Sequence, residues 1–495
     1  MALPATPALS GVHRARPASG DPLHRQLYFA LRAAILEGAH QAPGCHRPAR
    51  WLWTSACRAT PCSPPSTSCS LRRLCPGRTG AGSVVQPPAS GGSAPGPPAG
   101  ADASGERGRH AARAVAPWCP AHRPRSTATG RAPSRRGCPE LASFPFEDWA
   151  RLLARSWRNP PRSLLIGSEP AGYRPLREAL AAHLGAARAV RCTAEQVFIV
   201  SGAQQALDLA ARVLLDPGDR VWVEEPGYAG LIGALLAGGA TVVPVPVDEQ
   251  GLDVAGGRRR AATARMACVS PSHQFPLGLT MSLARRLELL DWARGADAFI
   301  LEDDYDSEYR YAGRPLAALQ GLDEDGRVIY VGTMSKVMFP ALRLGYMVVP
   351  PHLVDSFAAI RRLTDTHPSM LVQPALAEFI RDGSLAAHIR RMRALYADRQ
   401  ALLLEAARRH LGERLALRPA EAGMHLVGYL EDGTSDLALA VRAGRLGVEV
   451  TPLAALYQER PDRSGLLLGY AGLHGSEIES GMRGLARAFD QRPTG

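Results

Sequence analysis

From residue 196 onward, short apolar runs alternate with longer amphipathic ones, and this alternation constrains the fold more than any other feature. "QVFIVSG", "RVWVEEPG", "ATVVPVPV", "MACVSPS", "AFILEDDY", "RVIYVGT" and "GYMVVP" read as strands, being brief and rich in β-branched residues. "AQQALDLAARVLL", "AGLIGALLAGG" and "SLARRLELLDWARG" lie between several of them with helical patterns. Strands that are apolar on both faces need cover on both, which crossover helices supply. The pattern therefore predicts an α/β fold around a mostly parallel sheet. After residue 370 the chain turns helix-rich, then shows short strands near "GMHLVGYL" and "GLLLGYAG". That predicts a second, smaller α+β domain.

The N-terminal part is different. "DPLHRQLYFALRAAILEGAHQAPG" reads as one amphipathic helix, with Leu23, Leu27, Leu31 and Ile35 at four-residue steps. Asp21 before Pro22 suits its start, and Gly38 its end. Residues 45–137 then contain no Phe, Tyr, Ile, Met or Asn. A stretch so poor in large apolar side chains cannot offset its chain entropy, so disorder is expected there. The same segment holds 14 Arg against two acids, which accounts for the whole net charge of +12. The remainder is balanced, so the charge does not outline a folded nucleic-acid surface. Two readings stay open for this segment: a natural basic linker, or a GC-rich gene translated in a shifted frame.

Of nine cysteines, only Cys192 and Cys268 lie deeper in the chain than Cys138. No paired C-x2-C spacing occurs, so no zinc site is expected. The N-terminus lacks a sustained apolar h-region, and no run of about 18 apolar residues suggests a membrane span. We therefore expect a cytoplasmic protein with no membrane partner and no disulfide framework.

Lys336, in "VGTMSKVMFPALRLGY", is the single lysine among 58 basic side chains. An amine can condense with an aldehyde, whereas a guanidinium stays protonated and cannot. A lone surface lysine is the bland alternative, and its neighbours argue against that. "SGAQQAL" follows a strand and opens a helix, where backbone N–H groups can bind a phosphate. "LEDDYDSEY" ends a strand and offers a carboxylate and a Tyr, although such runs are more often solvated loops. Thr333, Ser335 and Arg343 surround the lysine with phosphate-binding groups. The ordered set is far more specific than any one part.

The phrases "EPAGYRPLREALAAHL", "VSGAQQALDLAARVLLDPGDRVWVEEPGY", "SPSHQFPLG", "LEDDYDSEYRY", "GTMSKVMFPALRLGYMV" and "LLLGYAGL" resemble fold-type I, pyridoxal-phosphate-dependent class I/II aminotransferases. More narrowly, they resemble the MocR/GabR-like regulators, which join a GntR-type winged helix-turn-helix to an aminotransferase-like domain. "HQFPLG" in place of "NPTG" favours that branch. The resemblance implies three parts. Residues 1–44 would hold the first helix of the winged helix-turn-helix, and 45–137 the atypical segment. Residues 138–495 would hold the cofactor-binding domain, with a large domain from about 165 to 365 and a small one from about 366 to 495.

By the same resemblance, Lys336 would form the internal aldimine with pyridoxal 5'-phosphate, and Asp303 would keep the pyridine nitrogen protonated. Tyr305 would bond the ring hydroxyl and Tyr228 stack on the ring. Gly202, Ala203 and Gln204, with Thr333, Ser335 and Arg343, would cup the phosphate. His273 and Gln274 would lie near the ring, and a homodimer is implied. The implied function is a DNA-binding transcription regulator that senses an amino compound through an external aldimine. The alternatives are an aminotransferase moving an amino group to a 2-oxo acid, or a remnant that binds no cofactor. Two departures qualify the picture. Leu467 stands where the enzymes carry a carboxylate-clamping Arg. No recognition helix is legible after "QAPG", which leaves operator readout without its usual rigid element.

Overall fold

The computed structural model describes residues 137–491, except 168, 314, 315 and 460, together with two short strands at Gly77–Arg78 and Gly82–Ser83. The chain divides into two units, Met1–Ala101 and Asp102–Gly495. In the first, the two short strands pair antiparallel, with Gly77 opposite Ser83. The helix expected within residues 1–44 lies outside the described residues, as does nearly all of 45–137.

In the second unit the apolar runs form the expected sheet. β1 (Val197–Val200), β2 (Arg220–Glu225), β3 (Thr241–Asp248), β4 (Gly251–Leu252), β5 (Met266–Val269), β6 (Phe299–Asp304), β7 (Val328–Thr333) and β8 (Gly345–Val348) lie in the order β1-β8-β7-β6-β5-β2-β3-β4. The central neighbours from β3 to β7 pair parallel. β8 runs antiparallel to both β1 and β7, and β4 antiparallel to β3.

Side-chain alternation divides the core into layers. Val221, Val223, Cys268, Leu301 and Val331 pack on one face with Leu207 and Leu231. Leu207 belongs to α1 (Ala203–Leu214) and Leu231 to α2 (Ala229–Ala237). Trp222, Ala267 and Ile300 pack on the other face with Leu289 and Trp292 of α3 (Leu283–Gly295). Trp222 and Trp292 stack there with centroids 3.8 Å apart. Burying both faces of this many β-branched and aromatic side chains supplies the main driving force for folding, at about 25 cal/mol per Å² of apolar surface.

The C-terminal part builds a four-stranded antiparallel sheet: β9 (Leu415–Leu417), β10 (His425–Leu430), β11 (Thr451–Pro452) and β12 (Gly465–Gly469), in the order β9-β10-β12-β11. A long helix, Ser384–Leu411, and a last helix, Gly475–Asp490, pack on each other beside it. Among the described residues, no helix is long and apolar enough to cross a membrane, and no cluster of His, Cys, Asp and Glu could hold a metal ion.

Candidate active site

The candidate residues gather beyond the C-terminal ends of β2, β5, β6 and β7, where open α/β sheets leave a crevice for ligands. Two segments far apart in the chain meet first. Gly345 of β8 pairs with Val200 on one side and Thr333 on the other, so the turns that follow both strands become neighbours. The approach is close: a Cβ on Gly345 would lie 3.0 Å from the Gly202 Cα. Gly202 adopts φ +97° as it opens α1, a region that L side chains rarely enter.

The Arg343 guanidinium covers this helix start. It donates to the Ser201 carbonyl at 2.9 Å and lies 3.2 Å from where a Gly202 Cβ would sit. Thr333 Oγ1 accepts from the Ser335 amide at 3.1 Å and caps the single turn that carries Lys336. Ala203 is half-buried and Gln204 exposed, its amide donating to the Gly230 carbonyl at 2.8 Å. A helix start with no side-chain cap, a guanidinium and two hydroxyls form an anion cup of the kind a phosphate dianion fits.

The other end of the site is acidic and partly buried. Strand alternation turns Asp303 to the same face as Leu301 and Cys268, into a narrow recess that also takes in Glu224, Tyr228 and Ser270. Asp303 Oδ1 is closed to solvent and has no hydrogen-bond partner. Burial pushes the Asp303 carboxyl up to about 7, helped by Asp304 and Asp306 and opposed by Lys336. Lys336 is half-buried, and its Nζ donates to the Gly137 carbonyl at 2.8 Å. Burial makes its amine a weaker base than a free lysine, while Asp306, Cys138 and Asp303 pull the other way. Tyr228 lines the recess, its hydroxyl 3.4 Å from Gln204 Oε1. The Tyr305 hydroxyl lies 2.9 Å from His273 Nδ1. Burial holds its phenol well above the usual range, so it is a neutral donor.

His273 and Gln274 are placed differently from each other. His273 is buried beside Tyr305 and bonds Asp306 Oδ1 through Nδ1 at 2.9 Å. Gln274 is committed to its own loop. Its amide donates to the Pro226 and Phe275 carbonyls at 2.9 and 2.7 Å, and its oxygen accepts from the Leu277 amide at 3.0 Å. It shapes the loop, and no hydrogen-bonding group of its side chain is left over for a ring.

Sequence reasoning missed two acids. Glu224 is buried, with Oε1 unpartnered, and burial pushes its carboxyl up to about 8 against hydrogen bonds from Ser270 and Gln274. Asp306 was visible in "DDYDSEY", but nothing in the spacing separates it from its acidic neighbours. Only the bond to His273 does that.

The residues fit pyridoxal phosphate. An orphaned buried carboxylate oxygen would receive a protonated ring nitrogen, the anion cup would take the phosphate, and the single amine stands near the same carboxylate. Opposite lies an apolar wall. Phe275 packs edge-on to Tyr228 and Tyr305, and joins a cluster with Leu453, Leu456 and Leu467.

Residues 139–456 match the family model described as aminotransferase class I and II. Over 473 residues the chain is 41% identical to the "Probable rhizopine catabolism regulatory protein MocR" of Rhizobium meliloti, and the alignment covers 94% of each protein. Among solved structures, kynurenine aminotransferase of Pyrococcus horikoshii in complex with PMP matches with a TM-score of 0.68 and 29% identity, covering 78% of this chain and 94% of that one. The α-aminoadipate aminotransferase LysN of Thermus thermophilus, complexed with N-(5'-phosphopyridoxyl)-L-leucine, matches with a TM-score of 0.66 and 30% identity, covering 72% and 91%. The architecture is thus the fold-type I one expected from the sequence.

Proposed function

The chain belongs to the MocR-like regulators with an aminotransferase class I and II domain, and on that footing we propose that it is a pyridoxal-phosphate-binding transcription regulator that senses an amino compound. What supports this reading is a candidate ring site without a substrate clamp. Asp303 acts electrostatically on both Tyr305 and Lys336, while Leu467, which stands where the enzymes carry a carboxylate-binding Arg, is buried with Leu453 and Leu456. The likeness to the MocR protein also runs well beyond the aminotransferase-like part.

When bound, pyridoxal phosphate supplies an aldehyde that takes up amines and a ring that accepts electron density from them. The chain's own residues do the rest. Gly202, Thr333, Ser335 and Arg343 would hold the phosphate, with Ala203 and Gln204 in the first turn of α1. The Asp303 carboxylate would keep a proton on the ring nitrogen. Tyr305 would donate its hydroxyl hydrogen to the ring oxygen, and Tyr228 would cover the ring. Lys336 Nζ, kept less basic than a free lysine by burial, would be the amine that meets the aldehyde and the group that could carry a proton there. DNA is the expected macromolecular partner. A homodimer accords with the large exposed side chains Leu165, Ile166, Leu363 and Leu371.

The test uses the full chain. Pyridoxal phosphate followed by borohydride is expected to leave a phosphopyridoxyl mass on the peptide carrying Lys336. DNA from upstream of the chain's own gene is expected to shift in a gel at moderate salt, with a response to added amines. Colourless protein with no label sinks the cofactor part. Binding that is indifferent to sequence and lost with salt sinks the regulator part. The intact set of Asp303, Tyr305 and Lys336 favours aminotransfer as the second reading, and steady turnover of an amino donor with a 2-oxo acid would establish it.

A further inference from the structure

His273 Nδ1 has two oxygen neighbours and room for one proton. Asp306 Oδ1 lies 2.9 Å away and the Tyr305 hydroxyl also 2.9 Å away. His273 and Asp306 are both buried. If the Tyr305 hydrogen occupied the contact, Nδ1 would present a lone pair to a buried carboxylate at hydrogen-bond distance, which is repulsive. If Nδ1 carries the hydrogen, it donates to the carboxylate in a charge-assisted bond, roughly twice as strong as a neutral one. The second arrangement wins.

The imidazole cannot turn away from this choice. A Cβ on Gly423 would lie 2.1 Å from His273 Cε1, and one on Gly278 would lie 3.2 Å from Nε2. Gly423 is itself pinned: its amide donates to the Tyr309 carbonyl at 2.9 Å, and its carbonyl accepts from Tyr470 at 3.0 Å and from Tyr311. Both glycines have positive φ, so this wall depends on their lacking side chains.

We propose that Asp306 and His273 are positioning residues for Tyr305: the Asp306 carboxylate keeps the proton of His273 on Nδ1, which leaves the Tyr305 hydroxyl hydrogen free for another acceptor. Nδ1–H also faces the Tyr305 oxygen, which steadies the phenol without using its hydrogen. Tyr305 thereby becomes a committed donor toward whatever oxygen comes within reach of its hydroxyl. For the cofactor this is the ring oxygen, and that role rests on the cofactor reading above. Asp303, Asp304, Asp306 and Glu224 all act on Tyr305 with like charge, and Lys336 and His425 are the basic groups that feel Asp306. Any pH response of the site reflects all of these, so the test separates the tautomer from the charge.

Long-range nitrogen–proton spectra of the cofactor-free full chain, labelled at histidine, read the tautomer directly. His273 is assigned by its loss in His273→Gln. Nδ1 protonated in the native chain supports the proposal; Nδ1 without a proton overturns it. That measurement needs no variant at position 306 to fold. With pyridoxal phosphate added, Asp306→Asn is expected to move the pH midpoint of the colour change by about one unit or more, a tenfold change in proton affinity, with cofactor stoichiometry unchanged. Asp306→Glu is expected to restore it toward the native value. A folded, coloured Asp306→Asn with the native midpoint overturns the proposal. A native chain that stays colourless instead defeats the cofactor reading and leaves the tautomer spectrum to judge Asp306.

Discussion

Lys336 and Asp303 carry opposite demands in one small space. Burial weakens the amine as a base and pushes the carboxyl up to about 7, while each partly offsets the other. Lys336→Arg keeps the charge but cannot condense with an aldehyde. We expect no colour on adding pyridoxal phosphate, no borohydride label by mass spectrometry, and a fold unchanged by circular dichroism. Asp303→Asn removes a buried carboxylate that has no partner on Oδ1. It is expected to raise the melting temperature of the cofactor-free chain at pH 8 and to weaken cofactor affinity by tenfold or more, read by absorbance titration. A lowered melting temperature would show that Asp303 serves the fold. Lys336 was legible in the sequence by its rarity, whereas Asp303 was singled out among its acidic neighbours only by the family resemblance. Glu224 was not, because its place in the recess depends on which strand lies beside which.

Alternation along a strand assigns two adjacent acids of β6 to different tasks. Asp303 faces the recess, whereas Asp304 turns to the opposite side, where Arg188 Nε meets it at 2.9 Å and the Tyr330 hydroxyl at 2.6 Å. Both partners of that ion pair are buried. Asp304→Asn leaves Arg188 as a buried charge without its counter-ion and is expected to cost about 3–5 kcal/mol, measured by denaturant unfolding. The turn into α1 makes a second case. Gly202→Ala places a Cβ 3.2 Å from the Arg343 guanidinium on a backbone at φ +97°. It is expected to cost about 1–3 kcal/mol and to weaken phosphate-bearing ligands more than phosphate-free ones, compared by titrating pyridoxal phosphate against pyridoxal. Both elements were readable as a strand and a helix start. Which of two neighbouring carboxyls entered the site was not, because "EDD" offers no apolar neighbour to set the phase at its end.

Across the whole molecule, buried carboxyls set the response to pH. Glu302 and Asp303 are pushed up to about 7 and Glu224 to about 8, burial being the first cause for each. The folded chain therefore holds protons that the unfolded chain releases above about pH 4, so stability falls as pH rises from there to about 8. Glu140 works in the opposite sense. Its hydrogen bonds from Arg399 and the Ala142 amide outweigh the burial that opposes them, and its contribution is lost as pH falls below the ordinary glutamate range. Melting temperatures of the cofactor-free chain are expected to decline from about pH 5 to pH 8. The decline is expected to be shallower with pyridoxal phosphate, since a protonated ring nitrogen gives Asp303 a cationic partner. By itself the sequence determined the layered α/β class, the run of strands and the single amine, because periodicity and residue chemistry are local properties. Only the tertiary structure decided the site. The sheet order placed Gly345 between two distant turns and brought them together, and the packing of "SPSHQ" against "DDYDSE" set one imidazole nitrogen between a carboxylate and a phenol. Contacts between segments far apart in sequence depend on strand order and register, which no local pattern encodes.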